Sequence, residues 1–168
     1  MKIAILSDIH DHVWNLEKTI KLLKKEGCEE VIFCGDMCSP FTARMLMDTK
    51  LKTYTVWGNN DEDHWAMVQN AGENFFAFPL SQEFGEIEIK GRKIAFNHYP
   101  QLGKLLADTG HYDAVFHGHT HRQYHKMAGR TLLANPGAVC GIVSGTPGLA
   151  SFMVYDTANN SVKLIAIK

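Results

Sequence analysis

Ile3 to Leu6 is a short apolar run that breaks abruptly into Ser7-Asp8-Ile9-His10, the form of a strand buried on both faces of a parallel sheet. Val13, Leu16, Ile20 and Leu23 then recur at helical spacing among Lys and Glu, and Gly27 stands where a left-handed C-cap residue is wanted. The step repeats. Val31 to Cys34 reads as a second buried strand, and Ser39-Pro40 after it as an N-cap with proline in the first helical turn. Lys52 to Trp57 reads as a third strand, ending in Gly58-Asn59-Asn60-Asp61, with a helix through Trp65, Val68 and Gln69 to follow.

From Phe84 the period changes from helical to alternating. Ile87 and Ile89 alternate with Glu86, Glu88 and Lys90, and Gly91-Arg92 separates them from Ile94 and Phe96, which predicts an antiparallel hairpin. A short helix near Leu102 to Ala107 and a strand over Ala114-Val115-Phe116 come next. Several short strands then run from Gln123 onward, with Asn159-Asn160 as a late turn. Phe75, Phe76 and Phe78 before Pro79 show no clear period and read as a loop anchored in the core rather than a substrate mouth. Gly141 to Gly148 reads as a flexible, plain inter-strand loop, with a place at the border of the site as the alternative. Strand–helix alternation first and strands afterwards predict an α/β fold: a four-layer αββα sandwich of two mixed sheets packed face to face, with helices outside.

No repeat, low-complexity tract or linker divides the 168 residues, so one domain over 1–168 is expected. Seventeen Lys and Arg against eighteen Asp and Glu leave no basic field to draw in long nucleic acid. The apolar opening run is too short for a secretory core or a membrane span, which predicts a cytoplasmic protein with no membrane partner. Cys28, Cys34, Cys38 and Cys140 form no CxxC pair and read as ordinary buried thiols. Met45 and Met47 read as helix packing. Spacing says nothing about a homo-oligomer, which stays open.

The strand ends carry the chemistry. Ligands of open α/β sheets collect beyond the carboxyl ends of strands. There stand Asp8 and His10, Asp36, Asn59, His98, and finally His119 and His121. Carboxylates, imidazoles and an amide oxygen are the donors of one or two divalent transition ions. In an extended segment, residues i and i+2 point the same way, so Asp8 with His10, and His119 with His121, are each expected to offer two donors to one small volume. Gly35, Gly58 and Gly118 beside them allow sharp turns and close approach. His64, His111 and His125 lack such company and read as surface residues.

Asp8-Ile9-His10, Gly35-Asp36, Gly58-Asn59, Asn97-His98 and Gly118-His119-Thr120-His121 resemble the motifs of the calcineurin-like metallophosphoesterases over nearly the whole chain. Gly58-Asn59-Asn60-Asp61 and Asn135-Pro136-Gly137 resemble those of the small single-domain YfcE-like phosphodiesterases, to which a retromer subunit is related. The resemblance implies a pair of metals at the strand ends. Asp8, His10, Asp36 and His121 would hold one, and Asp36, Asn59, His98 and His119 the other, with Asp36 bridging. It implies manganese first, with nickel, iron, cobalt or zinc as alternatives, and a small phosphodiester as substrate.

Metal-dependent hydrolysis by in-line attack of a metal-bridging hydroxide, at a water pKa lowered from 15.7 toward about 7, is the expected reaction. Asp36, Asn59, Asn60 and His98 are its expected catalytic residues. Two divalent ions against the Asp8 and Asp36 carboxylates and one hydroxide leave a single positive charge, which suits a diester monoanion. The chain departs from the family at Asn60, where many members have a histidine. An amide donates a hydrogen bond but delivers no proton, so diesters with acidic leaving groups should be preferred. His12 and Asp61 are candidates to replace that histidine. Tyr99-Pro100, where the family usually has glycine, alters the substrate mouth. The alternative function is a metal-binding protein-interaction scaffold of the retromer-subunit type, whose mark would be lost ligands. A nuclease is a third reading, weakened by the near-neutral charge and the lack of room for a DNA-binding domain.

Overall fold

A computed structural model of the chain describes residues 1–79 and 82–168. The first half alternates as its pattern requires: β1 (Lys2–Leu6), α1 (Val13–Glu26), β2 (Glu30–Phe33), α2 (Pro40–Met47), β3 (Lys52–Thr55), α3 (His64–Ala71) and β4 (Phe75–Ala77). Helical crossovers let β1 to β4 pair in parallel. α1 begins where the His12 Nδ1 accepts the Asn15 N–H at 3.3 Å. It ends at Gly27, whose φ of 73° turns its own N–H back to the Leu23 and Lys24 carbonyls.

The second half supplies β5 (Phe84–Ile89), β6 (Arg92–Asn97), α4 (Pro100–Asp108), β7 (Ala114–Phe116), β8 (Tyr124–Ala128), β9 (Thr131–Asn135), β10 (Ile142–Val143), β11 (Thr146–Pro147), β12 (Ser151–Asp156) and β13 (Ser161–Ala166). β5 and β6 form the expected hairpin. Its two turn residues, Lys90 and Gly91, both lie at positive φ (53° and 74°), which matches the twist of the paired strands. The strands assemble into a six-stranded sheet, β13-β12-β1-β2-β3-β4, and a five-stranded one, β5-β6-β7-β9-β8.

Strand alternation builds the layers. Ala4, Leu6, Val31 and Phe33 point to one side of the first sheet, where Leu16, Leu23, Ala43, Leu46 and Met67 of the helices cover them. Ile3, Ile5 and Ile32 point to the other side and meet Ile94, Phe96, Ala114 and Phe116 of the second sheet. Phe116 and Tyr155 meet edge to face across that interior, 5.2 Å between centroids. Ala95, Val115 and Leu133 on the far side of the second sheet are covered by Leu106 and Ala107 of α4. The result is the expected αββα sandwich. Each fully buried Phe or Ile in the middle layer contributes about 1.5–3 kcal/mol.

Four local readings differ. β3 stops at Thr55 rather than Trp57, because the chain leaves the ladder there and brings Gly58 against Asp36. Ser39 does not cap α2, since its hydroxyl donates to Asp11 Oδ1 at 2.7 Å. Phe75 and Phe76 belong to the edge strand β4 rather than a loop. Phe75 is buried, while Phe76 stays largely exposed against Tyr54 with the Lys52 ammonium over both rings. The 141–148 segment contains the small β10–β11 hairpin, which pairs Ile142 with Pro147 and Val143 with Thr146. No described helix is long and apolar enough to cross a membrane.

Candidate metal centre

The carboxyl ends of β1, β2, β3, β6 and β7 converge, and every donor picked out at those ends arrives within one small volume. His10 Nε2 lies 3.1 Å from His121 Nε2, 3.8 Å from Asp8 Oδ1 and 3.5 Å from Asp36 Oδ2. His121 Nε2 is 3.3 Å from Asp8 Oδ1. On the other side of Asp36, His98 Nε2 lies 3.5 Å from Asp36 Oδ2 and 3.0 Å from Asn59 Oδ1. His119 Nδ1 is 3.0 Å from Asn59 Oδ1 and 3.2 Å from His98 Nε2. Two donor sets therefore share one carboxylate.

The extended-strand explanation of the i, i+2 spacing does not hold. Asp8, His10, Asp36, His119 and His121 all have left-handed φ, between 46° and 68°. Such backbone costs non-glycine residues free energy and is held by its surroundings. The outcome is a division of the last pair: His119 turns toward His98 and Asn59, and His121 toward His10 and Asp8. Glycines make room for this. A Cβ on Gly35 would sit 2.7 Å from His98 Nδ1, and one on Gly118 would collide with Ser7 Oγ.

Backbone carbonyls decide which nitrogens face inward. Cys34 O, 2.8 Å from His98 Nδ1, can only accept, so that nitrogen carries the proton and Nε2 presents a lone pair. Ile142 O does the same for His121 Nδ1, which puts the β10–β11 hairpin at the border of the site, the alternative to a plain loop. Lone pairs of His98 Nε2 and Asn59 Oδ1 thus confront each other, and Asp8 Oδ1 is fully buried with no hydrogen-bond partner. Asp8 and His121 show the same demand for positive charge. Burial would raise the Asp8 carboxyl, yet the facing His10 and His121 rings outweigh it and hold it far below the usual range. Asp8 and the Cys140 thiol push His121 up to about 11. Converging acceptors, an orphaned carboxylate oxygen and a mixed nitrogen and oxygen set fit divalent cations.

Other residues acquire different parts from those expected. Asn60 reaches the cluster, but its backbone N–H and its Nδ2 both donate to Asp36, each at 2.8 Å. Asp61 is taken up by the backbone around Asp36. Its buried carboxylate accepts three backbone N–H groups, from Asp36 and Gly58 through Oδ2 (2.9 and 2.8 Å) and from Cys38 through Oδ1 (2.8 Å). His12 is engaged at the start of α1. His64 packs against Trp57, ring centroids 4.3 Å apart, rather than lying free on the surface. Cys140 groups with His10 and His121, and Cys38 Sγ lies 3.6 Å from His10 Nδ1. Burial pushes the Cys38 thiol up to about 12 and keeps it neutral.

Sequence reading passed over His117 altogether. It is fully buried, its Nε2 pairs with the Tyr124 hydroxyl at 2.5 Å, and burial pushes it down to about 4. Beside it Asn135 Nδ2 donates to Gly118 O at 2.9 Å and Thr120 Oγ1 at 3.0 Å, clamping the loop that carries His119 and His121.

A model of the calcineurin-like phosphoesterase superfamily domain matches residues 1–160. The chain belongs to that superfamily. Among calcineurin-like relatives, Phosphodiesterase MJ0936 of Methanocaldococcus jannaschii is 31% identical over the full length of both chains. Phosphodiesterase YfcE of Escherichia coli is 23% identical, over 99% of this chain and 92% of its own. A solved archaeal phosphodiesterase superimposes with a TM-score of 0.87 at 29% identity, covering 99% of each chain. The expected resemblance to calcineurin-like phosphoesterases of the small YfcE-like kind is thereby met.

Proposed function

We propose that the protein is a dimetal phosphodiesterase acting on a small phosphodiester. The observation that carries this reading is the pair of donor sets joined by Asp36, with lone pairs turned inward by Cys34 O and Ile142 O. Asp8, His10, Asp36 and His121 would hold one divalent ion, and Asp36, Asn59, His98 and His119 the other. Two such ions supply Lewis acidity, which activates water near neutral pH and offsets charge on phosphate oxygens. Nitrogen and oxygen donors suit manganese, iron, cobalt, nickel or zinc, and we take manganese as the working choice.

Two carboxylates, Asp8 and Asp36, only partly neutralise two divalent ions, so the site keeps a positive balance suited to an anionic diester. Asp61 holds the backbone N–H groups of Asp36, Cys38 and Gly58, and Asn135 fixes the His119–His121 loop. Asn60 Nδ2 holds a hydrogen-bond donor at the Asp36 edge but has no proton to transfer to a departing alcohol. All seven donors are present and assembled, which favours catalysis over a scaffold that has lost them. The test is hydrolysis of bis-p-nitrophenyl phosphate and p-nitrophenyl phosphate by chelator-stripped protein, with each divalent metal added back. Metal-dependent diester turnover well above monoester turnover, abolished in Asp36→Asn, is expected. Stoichiometric metal without turnover of either ester would overturn the reading.

A further inference from the structure

The donor cluster opens sideways. A cleft of about 370 Å³ begins at His98 and Gly58 and is bounded by Val56 and Trp57 from the end of β3 and by Tyr99 and Leu102 at the start of α4. It adjoins a second hollow of about 600 Å³ through Gln82, Glu83 and Leu102, which Phe78, Phe84 and Glu86 border. Tyr99 stands at the junction of cleft and cluster. Its ring meets those of His98 and His119 edge to face at 5.1 and 5.0 Å, and 44% of the residue remains exposed. An ester arm of a phosphodiester bound at the cluster has this cleft as a ready exit beside His98.

The charge of the walls selects among arms. Among the described residues lining the two hollows, the formally charged ones are Glu83 and Glu86, and none is Lys or Arg. The basic residue of α4, Lys104, is paired with Asp108 at 2.8 Å. A second phosphate or a carboxylate on the arm would face like charge without a cation to offset it. A neutral arm would gain apolar contact but leave the Glu83 carboxylate unanswered, whereas Glu86 already accepts the Tyr112 hydroxyl. An ammonium group satisfies both features at once, because aromatic faces and carboxylates attract cations.

We propose that this cleft receives the ester arm of a phosphodiester whose alcohol carries an ammonium group, recognised by the Tyr99 ring and the Glu83 carboxylate. The inference rests on the phosphodiesterase reading and adds the substrate class to it. It is tested by comparing p-nitrophenyl phosphocholine with p-nitrophenyl 3,3-dimethylbutyl phosphate, which has the same shape and leaving group but carbon in place of the charged nitrogen. Metal-loaded protein should show a kcat/KM about fivefold or more higher for the choline ester. That ratio should shrink as salt is raised and fall toward one in Glu83→Gln and in Tyr99→Leu. A ratio of one or below in the unmodified protein, or a ratio unchanged in both variants, overturns the proposal. If bis-p-nitrophenyl phosphate is hydrolysed but neither of these esters is, the cleft assignment alone fails. If none of the three is hydrolysed, the phosphodiesterase reading fails and this inference with it.

Discussion

Asp36 joins the two donor sets, and its position is set by a neighbour that touches no donor cluster itself. Asp61 accepts the N–H groups of Asp36, Gly58 and Cys38, so Asp61→Ala leaves three backbone donors without their acceptor. An unsatisfied buried donor costs about 1–3 kcal/mol. Urea unfolding should show a loss of about 3 kcal/mol, and metal titration a roughly 10- to 100-fold weaker affinity. Unchanged values for both would remove Asp61 from its bracing role. Asn60→His makes the opposite change, returning an imidazole beside Asp36. Turnover of diesters with alkyl leaving groups should rise by about tenfold or more, while aryl diesters, whose alcohols leave without a proton, change little. Equal effects on both classes would contradict that assignment. The strand-end donors were legible because acids and imidazoles break apolar runs visibly. The bracing parts of Asp61 and Asn135 were not, because they rest on backbone groups that only the tertiary fold brings to them, such as the Asp36 and Cys38 N–H groups and Gly118 O. His117 gave no signal because its partner is the Tyr124 hydroxyl on β8.

At the level of elements, the pattern located what local periodicity controls. α1, β7 and the β5–β6 hairpin stand where spacing puts them, although the hairpin turn falls one residue earlier than expected, at Lys90-Gly91 rather than Gly91-Arg92. β4 and the β10–β11 pair escaped because two or three residues hold no period, and tertiary pairing decides them. The turn end of the hairpin is tied to its surroundings by Asp113, which accepts from the Lys93 N–H at 3.0 Å and Arg92 Nη1 at 3.2 Å. Burial would raise this carboxyl, but the Lys93 N–H and the Arg92 guanidinium outweigh it and hold its pKa below 3.8. A carboxylate with a depressed folded pKa stabilises above its unfolded pKa, and that contribution disappears as pH falls through the folded value. Asp113→Asn should therefore cost about 0.5 kcal/mol at pH 7 and progressively less below about pH 3.8. A penalty undiminished at low pH would show that charge is not what Asp113 contributes.

Across the whole molecule, the two sheets act as a rigid mount. The middle layer of Ile3, Ile5, Ile94, Phe96 and Phe116 fixes the sheets against each other, and five strand ends then present their donors to one point. That assembly brings inward-facing lone pairs together, so ions that bind it should stabilise the native state alone. Divalent metal at about 100 times its dissociation constant contributes about 2.7 kcal/mol, or roughly 5–10 °C in Tm for a chain of this size. Thermal unfolding of stripped protein with and without manganese measures this shift, and Asp36→Asn should lose most of it. The strongest test of two ions sharing Asp36 is anomalous diffraction at the manganese edge from crystals grown with the metal. Two peaks roughly 3.5–4 Å apart are predicted, one among Asp8, His10 and His121, the other among Asn59, His98 and His119, with Asp36 between them. A single peak, or ions bound away from Asp36, would contradict it.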